Sequence, residues 1–249
     1  YGKPPERIAM FGGISHTQAA LKMDMGGIAM RSYEMSEADE LSAFTPDVIS
    51  CYPSVIRELL YEHEEKLRGI KAIKLGGERI FEADTAKIFA RLPNAIVIEQ
   101  FGSTEVPAVA LRVHRKGNSH PPYELQKQRF SFRIEPEDGW QPLIVRDDFE
   151  DLLFPVREFY NTGDEILVED GEVMDVRRVG DPVYEFRELI QSLLEQGCVN
   201  LQIRREDSQI LYYGDLKLPT TIDFQGKSFR TVNQKPERIA TSNKLKLVC

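Results

Sequence analysis

The sequence predicts an α/β protein in three parts: a parallel-sheet subdomain, an antiparallel or distorted-barrel subdomain, and a small α+β C-terminal domain. Strand-like and helix-like runs alternate as far as about residue 102. From there short strand-like runs follow one another across Gly, Pro and Asp turns, and beyond Asp181 a helical run precedes further strand-like stretches. Alternation of strand and helix implies crossover connections and so a mainly parallel sheet, whereas short turns join antiparallel neighbours. The expected division is residues 1–180 as part of a large domain and 181–249 as a small, mobile one.

Arg7-Ile8-Ala9-Met10-Phe11 is a short apolar strand closed by Gly12-Gly13, and the stretch from about Ser15 to Met23 reads as helix. Asp47 to Cys51 is a second strand, leading through Pro53 into Val55-Ile56 and Leu59-Leu60, whose spacing is that of an amphipathic helix. Ile70 to Leu75 is a strand broken by Gly76-Gly77, Ala83 to Arg91 a helix, and Ala95-Ile96-Val97-Ile98 a buried, β-branched strand. Val109 to Val113, Arg129 to Ile134, Leu143 to Arg146 and Glu172 to Val176 are the short strands of the second part, and Asp170-Gly171 marks a hairpin. The tail carries a helix near Phe186 to Gln196 and strands at 199–203 and 209–213.

Hydrophobic content of 41% and charged content of 29% are those of a globular protein, and no run of about 18 apolar residues exists to span a membrane. The net charge of -8, with basic residues interleaved among acids as in Arg204-Arg205-Glu206-Asp207, argues against nucleic acid as a partner. Three scattered cysteines (Cys51, Cys198, Cys249) form neither a zinc spacing nor a disulfide framework, so a reducing, cytoplasmic setting is expected. The start at Tyr1 without Met and the abrupt end at Cys249 are expected of a fragment.

Four segments carry chemistry. Leu75-Gly76-Gly77-Glu78-Arg79 ends a strand, where glycines let a ligand approach the backbone; alone it is equally a turn. In Glu99-Gln100-Phe101-Gly102-Ser103-Thr104-Glu105 an aromatic ring can stack on a purine, hydroxyls can bond phosphate oxygens, and one carboxylate can hold Mg²⁺; a capped helix start reads the same way. Tyr160-Asn161-Thr162-Gly163-Asp164, with Arg177-Arg178 beyond the hairpin, offers a carboxylate for ribose hydroxyls and a guanidinium beside it, or simply a Gly-Asp turn. Ala240 to Lys246 offers a lysine able to reach a phosphate, or merely solvated lysines.

Gly-Gly-Glu, Gln-Phe-Gly-Ser-Thr-Glu, Thr-Gly-Asp, Arg and Ser-x-Lys, in that order, resemble the core motifs of the adenylate-forming superfamily of acyl- and aryl-CoA ligases, firefly luciferase and peptide-synthetase adenylation domains. Phe154-Pro155-Val156-Arg157 leading to Thr162-Gly163-Asp164 is most similar to the phenylacetate-CoA ligase branch, and the similarity runs from about residue 47 to 181. The resemblance implies a ligase that activates a small carboxylic acid with ATP and Mg²⁺ and passes the acyl group to CoA; a carrier protein as acceptor, or a non-catalytic nucleotide-binding protein, stands as the alternative. It implies Gly76, Gly77 and Glu78 along the adenine and acyl pocket, and Gln100, Phe101, Gly102 and Ser103 on the nucleotide, with Phe101 stacked on adenine in place of the usual Tyr. Thr104 would then contact the α-phosphate, Glu105 hold Mg²⁺, Asp164 bind ribose with Arg178 nearby, Asp181 act as a hinge, and Lys244 stabilise adenylate formation. His16 resembles an acyl-pocket histidine or is an ordinary surface residue. The family's phosphate loop ending in Lys is expected upstream of Tyr1, the loop after Asp181 is shorter than the family's, and Asn243 stands where the family has Gly.

Overall fold

The computed structural model describes residues 4–12, 27–103, 105–118, 120–149 and 158–236; the helix expected from about Ser15 to Met23 lies outside them. Five parallel strands form the first sheet: β1 (Arg7–Phe11), β2 (Ala29–Tyr33), β3 (Val48–Cys51), β4 (Ala72–Gly76) and β5 (Ile96–Phe101). β6 (Ala110–His114) and β7 (Glu124–Leu125) extend it antiparallel, giving the order β2-β1-β3-β4-β5-β6-β7. The run at 109–113 thus joins the parallel sheet instead of the following antiparallel one, because the loop after β5 returns the chain beside it in antiparallel register, Phe101 opposite Ala110.

The connections bury one face of this sheet. A 3-10 turn (Met35–Glu40) runs into α1 (Leu41–Phe44), which Thr45 ends in the left-handed conformation. α2 (Pro53–Glu62) starts with proline in its first turn, where no N–H is required, and α3 (Glu82–Arg91) starts where Asp84 accepts the Phe81 N–H at 2.9 Å. Val55, Ile56 and Leu59 of α2 and Ile88 and Phe89 of α3 form one core with Ala9, Phe11, Ile49, Ile73, Leu75 and Val97.

The second sheet is antiparallel and open: β8 (Phe130–Arg133), β9 (Gly139–Asp147), β10 (Tyr160–Glu169) and β11 (Glu172–Arg178), in the order β11-β10-β9-β8. Asp170 and Gly171 both adopt positive φ at the β10–β11 hairpin, as a tight two-residue turn requires. Tyr123 donates its N–H to Val173 O at 2.7 Å and so stitches the two sheets together. Phe130, Leu143, Val145, Ile166, Val168 and Val173 fill the core below.

Asp181 caps α4 (Pro182–Glu185) by accepting the Val183 N–H at 2.9 Å. α5 (Arg187–Glu195) then lays Leu189, Ile190, Leu193 and Leu194 against a third sheet. That sheet contains β12 (Cys198–Arg204), β13 (Gln209–Gly214), β14 (Thr221–Phe224) and β15 (Lys227–Asn233), in the order β12-β13-β15-β14. Its core includes Phe81 and Ala83 from the start of α3, so residues 182–234 share packing with the first part of the chain. Between them lies a buried polar cluster: Arg57 donates to both Asp84 oxygens at 2.6 and 3.1 Å, and Asn200 of β12 donates to Ser54 O at 3.1 Å.

Cys198 opens β12 at zero exposure, and burial pushes its thiol pKa up to about 11. The unfolded thiol ionises near 8.5, so the folded state is disfavoured as pH rises above that value, and the loss grows until about pH 11. Denaturant unfolding at pH 8 and pH 10.5 is expected to show a Cys198-dependent loss of roughly 2–3 kcal/mol, absent from Cys198→Ala. Equal pH slopes for both proteins would contradict it.

Candidate functional site

Carboxyl ends of parallel strands are where open α/β sheets gather ligands. Here β4 and β5 end side by side, with Gly76 paired to Gln100. Gly77 turns the chain at φ +80°, and a Cβ there would lie 2.6 Å from the Tyr52 ring. Only glycine fits. Glu78 points back to α2: its carboxylate accepts from the Ser54 N–H and from Ser54 Oγ, both at 2.8 Å. A carboxylate on the first turn of a helix is favoured by the helix dipole, so Glu78 fixes the turn to α2.

The loop after β5 is equally tight. A Cβ on Gly102 would lie 2.6 Å from both Ala108 N and Val106 O. Ser103 donates its N–H to Val106 O at 3.2 Å and its hydroxyl to Glu105 Oε2 at 2.7 Å, and Val106 N–H donates to Ser103 Oγ at 3.3 Å. These bonds close a turn that leaves Glu105 exposed, while Phe101 is half-buried against the antiparallel core.

Beneath this loop lies a network that sequence reasoning missed. Glu99 is buried and bonds His114 Nε2 at 2.9 Å and the Tyr123 hydroxyl, with Arg112 Nη1 at 3.7 Å. Burial raises the Glu99 pKa, but the His114 bond and the Arg112 charge outweigh it and the carboxyl sits below its ordinary value. Burial and the Glu99 charge push the Tyr123 phenol well above its own. Arg112 lies 3.8 Å from the Tyr123 ring centroid. The available signal was a lone Glu in the apolar strand Ile96-Val97-Ile98-Glu99; its partners, 13 to 24 residues on, carried none.

Asp164 is buried at the point where β10 pairs with Arg178 of β11. Arg178 Nε donates to Asp164 Oδ1 at 2.9 Å, yet its side chain is 54% exposed, so the guanidinium faces outward from the pair. A carboxylate has about four acceptor positions, and one arginine leaves some of them for other donors. The Asp164 bond raises the Arg178 pKa, and the charges of Asp181 and Glu105 raise it further. Burial raises the Asp181 pKa against the pull of the Val183 N–H, Arg79 and Arg178. Arg178 thus feels the charges of Asp164, Asp181 and Glu105, and Asp181 those of Arg79 and Arg178, so the β5 loop, the β10–β11 pair and the start of α4 lie within electrostatic reach of Arg178.

Gly76, Gly77, Gln100, Phe101, Gly102, Ser103 and Glu105 thus lie at or just beyond the neighbouring ends of β4 and β5, with the Glu78 carboxylate turned to Ser54, while Asp164 lies within β10, paired with Arg178 at the end of β11. His16, Thr104, Lys244 and the segment Phe154 to Arg157 lie outside the described residues. No group of three or more His, Cys, Asp or Glu side chains able to hold a metal occurs among the described residues. Mg²⁺ bound by one carboxylate, phosphates and water does not need such a group, and exposed Glu105 fits that role. No helix among the described residues is long and apolar enough to cross a membrane.

No protein-family model and no curated protein matches the sequence. Solved structures do match in fold. IdnL7 superposes with a TM-score of 0.62 at 15% identity, over 94% of this chain and 57% of its own. The anthranilate CoA ligase AuaEII, in complex with anthranoyl-AMP, gives 0.59 at 12% identity over 85% and 50%. Holo-PA1221, an NRPS protein containing adenylation and PCP domains, gives 0.55 at 13% over 86% and 47%. The chain spans about half the length of these structures, and what it shares with them is the fold.

Proposed function

We propose that this chain, folded like adenylate-forming enzymes, is part of an enzyme that activates a carboxylic acid with ATP as an acyl-adenylate. What supports the reading is that the Gly76–Gly77 turn and the Gln100–Glu105 loop follow neighbouring strand ends, with Glu105 in electrostatic reach of Arg178 in the Asp164–Arg178 pair. The acid's carboxylate oxygen attacks the α-phosphorus, a P–O bond forms, the bond to the β-phosphate oxygen breaks, and pyrophosphate leaves. A carboxylate is already anionic near neutral pH, so no general base is needed. The protein's contribution is positioning and charge stabilisation. Phe101 supplies an aromatic face for adenine, Asp164 the acceptor for ribose hydroxyls, Arg178 a second polar grip, Thr104 an α-phosphate contact, and Lys244 a cation for the developing charge. Glu105 would hold Mg²⁺, which neutralises phosphate charge when bound.

The acyl group then passes to a thiol, and CoA is the acceptor we favour. A CoA ligase and a protein with adenylation and carrier domains share the fold, so a carrier protein is the second reading. An acceptor screen on the preformed adenylate separates them. Asp164 tests the nucleotide site itself. Asp164→Ala is expected to weaken AMP binding by about 1.5–3 kcal/mol, the range for bonds to a charged partner. Calorimetry giving the same affinity for both proteins would remove Asp164 from the ribose.

A further inference from the structure

The candidate site draws on two sheets, and something must hold the Gly76–Gly77 turn of one in register with the Asp164–Arg178 pair of the other. We infer that Arg79 is the positioning residue that does so; this rests on the nucleotide reading above. Arg79 follows the turn directly and crosses to β11. Its Nη2 donates to Asp175 at 2.6 Å and its Nη1 to Val176 O at 3.2 Å, two residues before Arg178. Glu78, between Gly77 and Arg79, is fastened to Ser54. The segment leaving the turn is therefore pinned twice, to α2 by the Glu78 carboxylate and to the antiparallel sheet by the Arg79 guanidinium. Arginine suits the task because its planar fork serves two acceptors at once.

Arg79 is itself held in place. Its guanidinium lies 5.3 Å from the Tyr184 ring of α4, and Arg187 stacks on the same ring at 4.3 Å. Trp140 of β9 meets Tyr184 edge-on at 5.3 Å, and Arg177 lies 3.9 Å over the indole while bonding Glu165 at 2.7 Å. Three arginines around one phenol repel one another unless their charges are met, and Asp175, Glu165 and Glu188 meet them. Asp181, three residues before Tyr184, also feels the Arg79 charge. Arg79 bonds β11 two and three residues before Arg178, so its effect on binding is exerted through the Asp164–Arg178 pair.

That route makes a double-mutant cycle the test, since residues acting through one another give non-additive losses. Arg79→Ala is expected to raise the Kd for AMP about tenfold in the wild-type background, the low end for a charge-assisted bond. In the Asp164→Ala background the same change is expected to raise it less than about twofold. Asp175→Asn should reproduce the first effect without changing any residue of the expected nucleotide site. Equal fold losses in the two backgrounds would overturn the proposal. If the wild-type protein binds no AMP, the nucleotide reading fails, and the strut is judged from Trp140, the only tryptophan in the chain. Its emission shifts on Arg79→Ala if Arg79 seats Tyr184 against it, and an unchanged spectrum overturns the strut as well.

Discussion

Replacing Arg57 with Ala is expected to destabilise the protein by about 3–5 kcal/mol, the usual result of leaving one partner of a buried ion pair behind. Arg57 is 4% and Asp84 1% exposed, and the pair is bidentate. Asp84 also accepts the Phe81 N–H at the start of α3, and Arg57 Nη1 reaches Asn200 Oδ1 at 3.4 Å. Truncating Arg57 strands the Asp84 carboxylate in a site that water does not reach, and loosens the seat of β12 on the helices. The double replacement Arg57→Met with Asp84→Leu should cost far less, because two apolar side chains leave no charge unpaired. Urea unfolding of the two variants checks this. A single mutant no less stable than the double would show that the pair is not desolvated.

The largest kinetic effect is expected at Lys244. If this lysine meets the charge developing at the α-phosphate, Lys244→Ala slows adenylate formation by roughly 10²–10³, as removal of one such donor usually does. The family resemblance has the small C-terminal part turn about Asp181 between half-reactions, so thiol transfer from a preformed acyl-adenylate should be nearly untouched. The fold sets a condition on that motion. Turning the whole of 182–234 would part Asn200 from Arg57 and Ser54 and uncover Phe81 and Ala83. Slowing of both half-reactions by Lys244→Ala would therefore mean that this part stays seated. Lys246, with the same charge two positions on, is the control. Equal losses from both lysines would mean only a diffuse electrostatic effect.

The parallel sheet was legible in the sequence because its strands are buried and its helices amphipathic. Ala95 to Ile98 is marked by its β-branched apolar run and Val55 to Leu60 by its helical spacing. The order of the short motifs was legible too; of these, Gly76-Gly77 and the Gln100 segment follow the neighbouring ends of β4 and β5, Asp164 lies within β10 opposite Arg178, and Lys244 lies outside the described residues. Strands with little burial were not legible. β2, with Arg31 and Ser32, is an edge strand, and β14 and β15 alternate polar residues around a Gln225-Gly226 turn. Nor were the long-range polar contacts. Arg57 and Asn200 are 143 residues apart, Arg79 and Asp175 96 apart, and nothing local to either marks its partner. Glu78 carries such a contact within a motif: its carboxylate is bonded to Ser54, which nothing local to Gly77 marks.

Acid-dependent exchange of labelled pyrophosphate into ATP measures acid activation through an adenylate. With Mg²⁺ and a panel of aliphatic and aryl carboxylic acids, exchange is expected to require both one of the acids and Mg²⁺ and to fall roughly 10²–10³-fold in Lys244→Ala. Protein that binds ATP with Mg²⁺ but exchanges no pyrophosphate with any acid of the panel would contradict it, and would make this a nucleotide-binding protein without the ligase reaction.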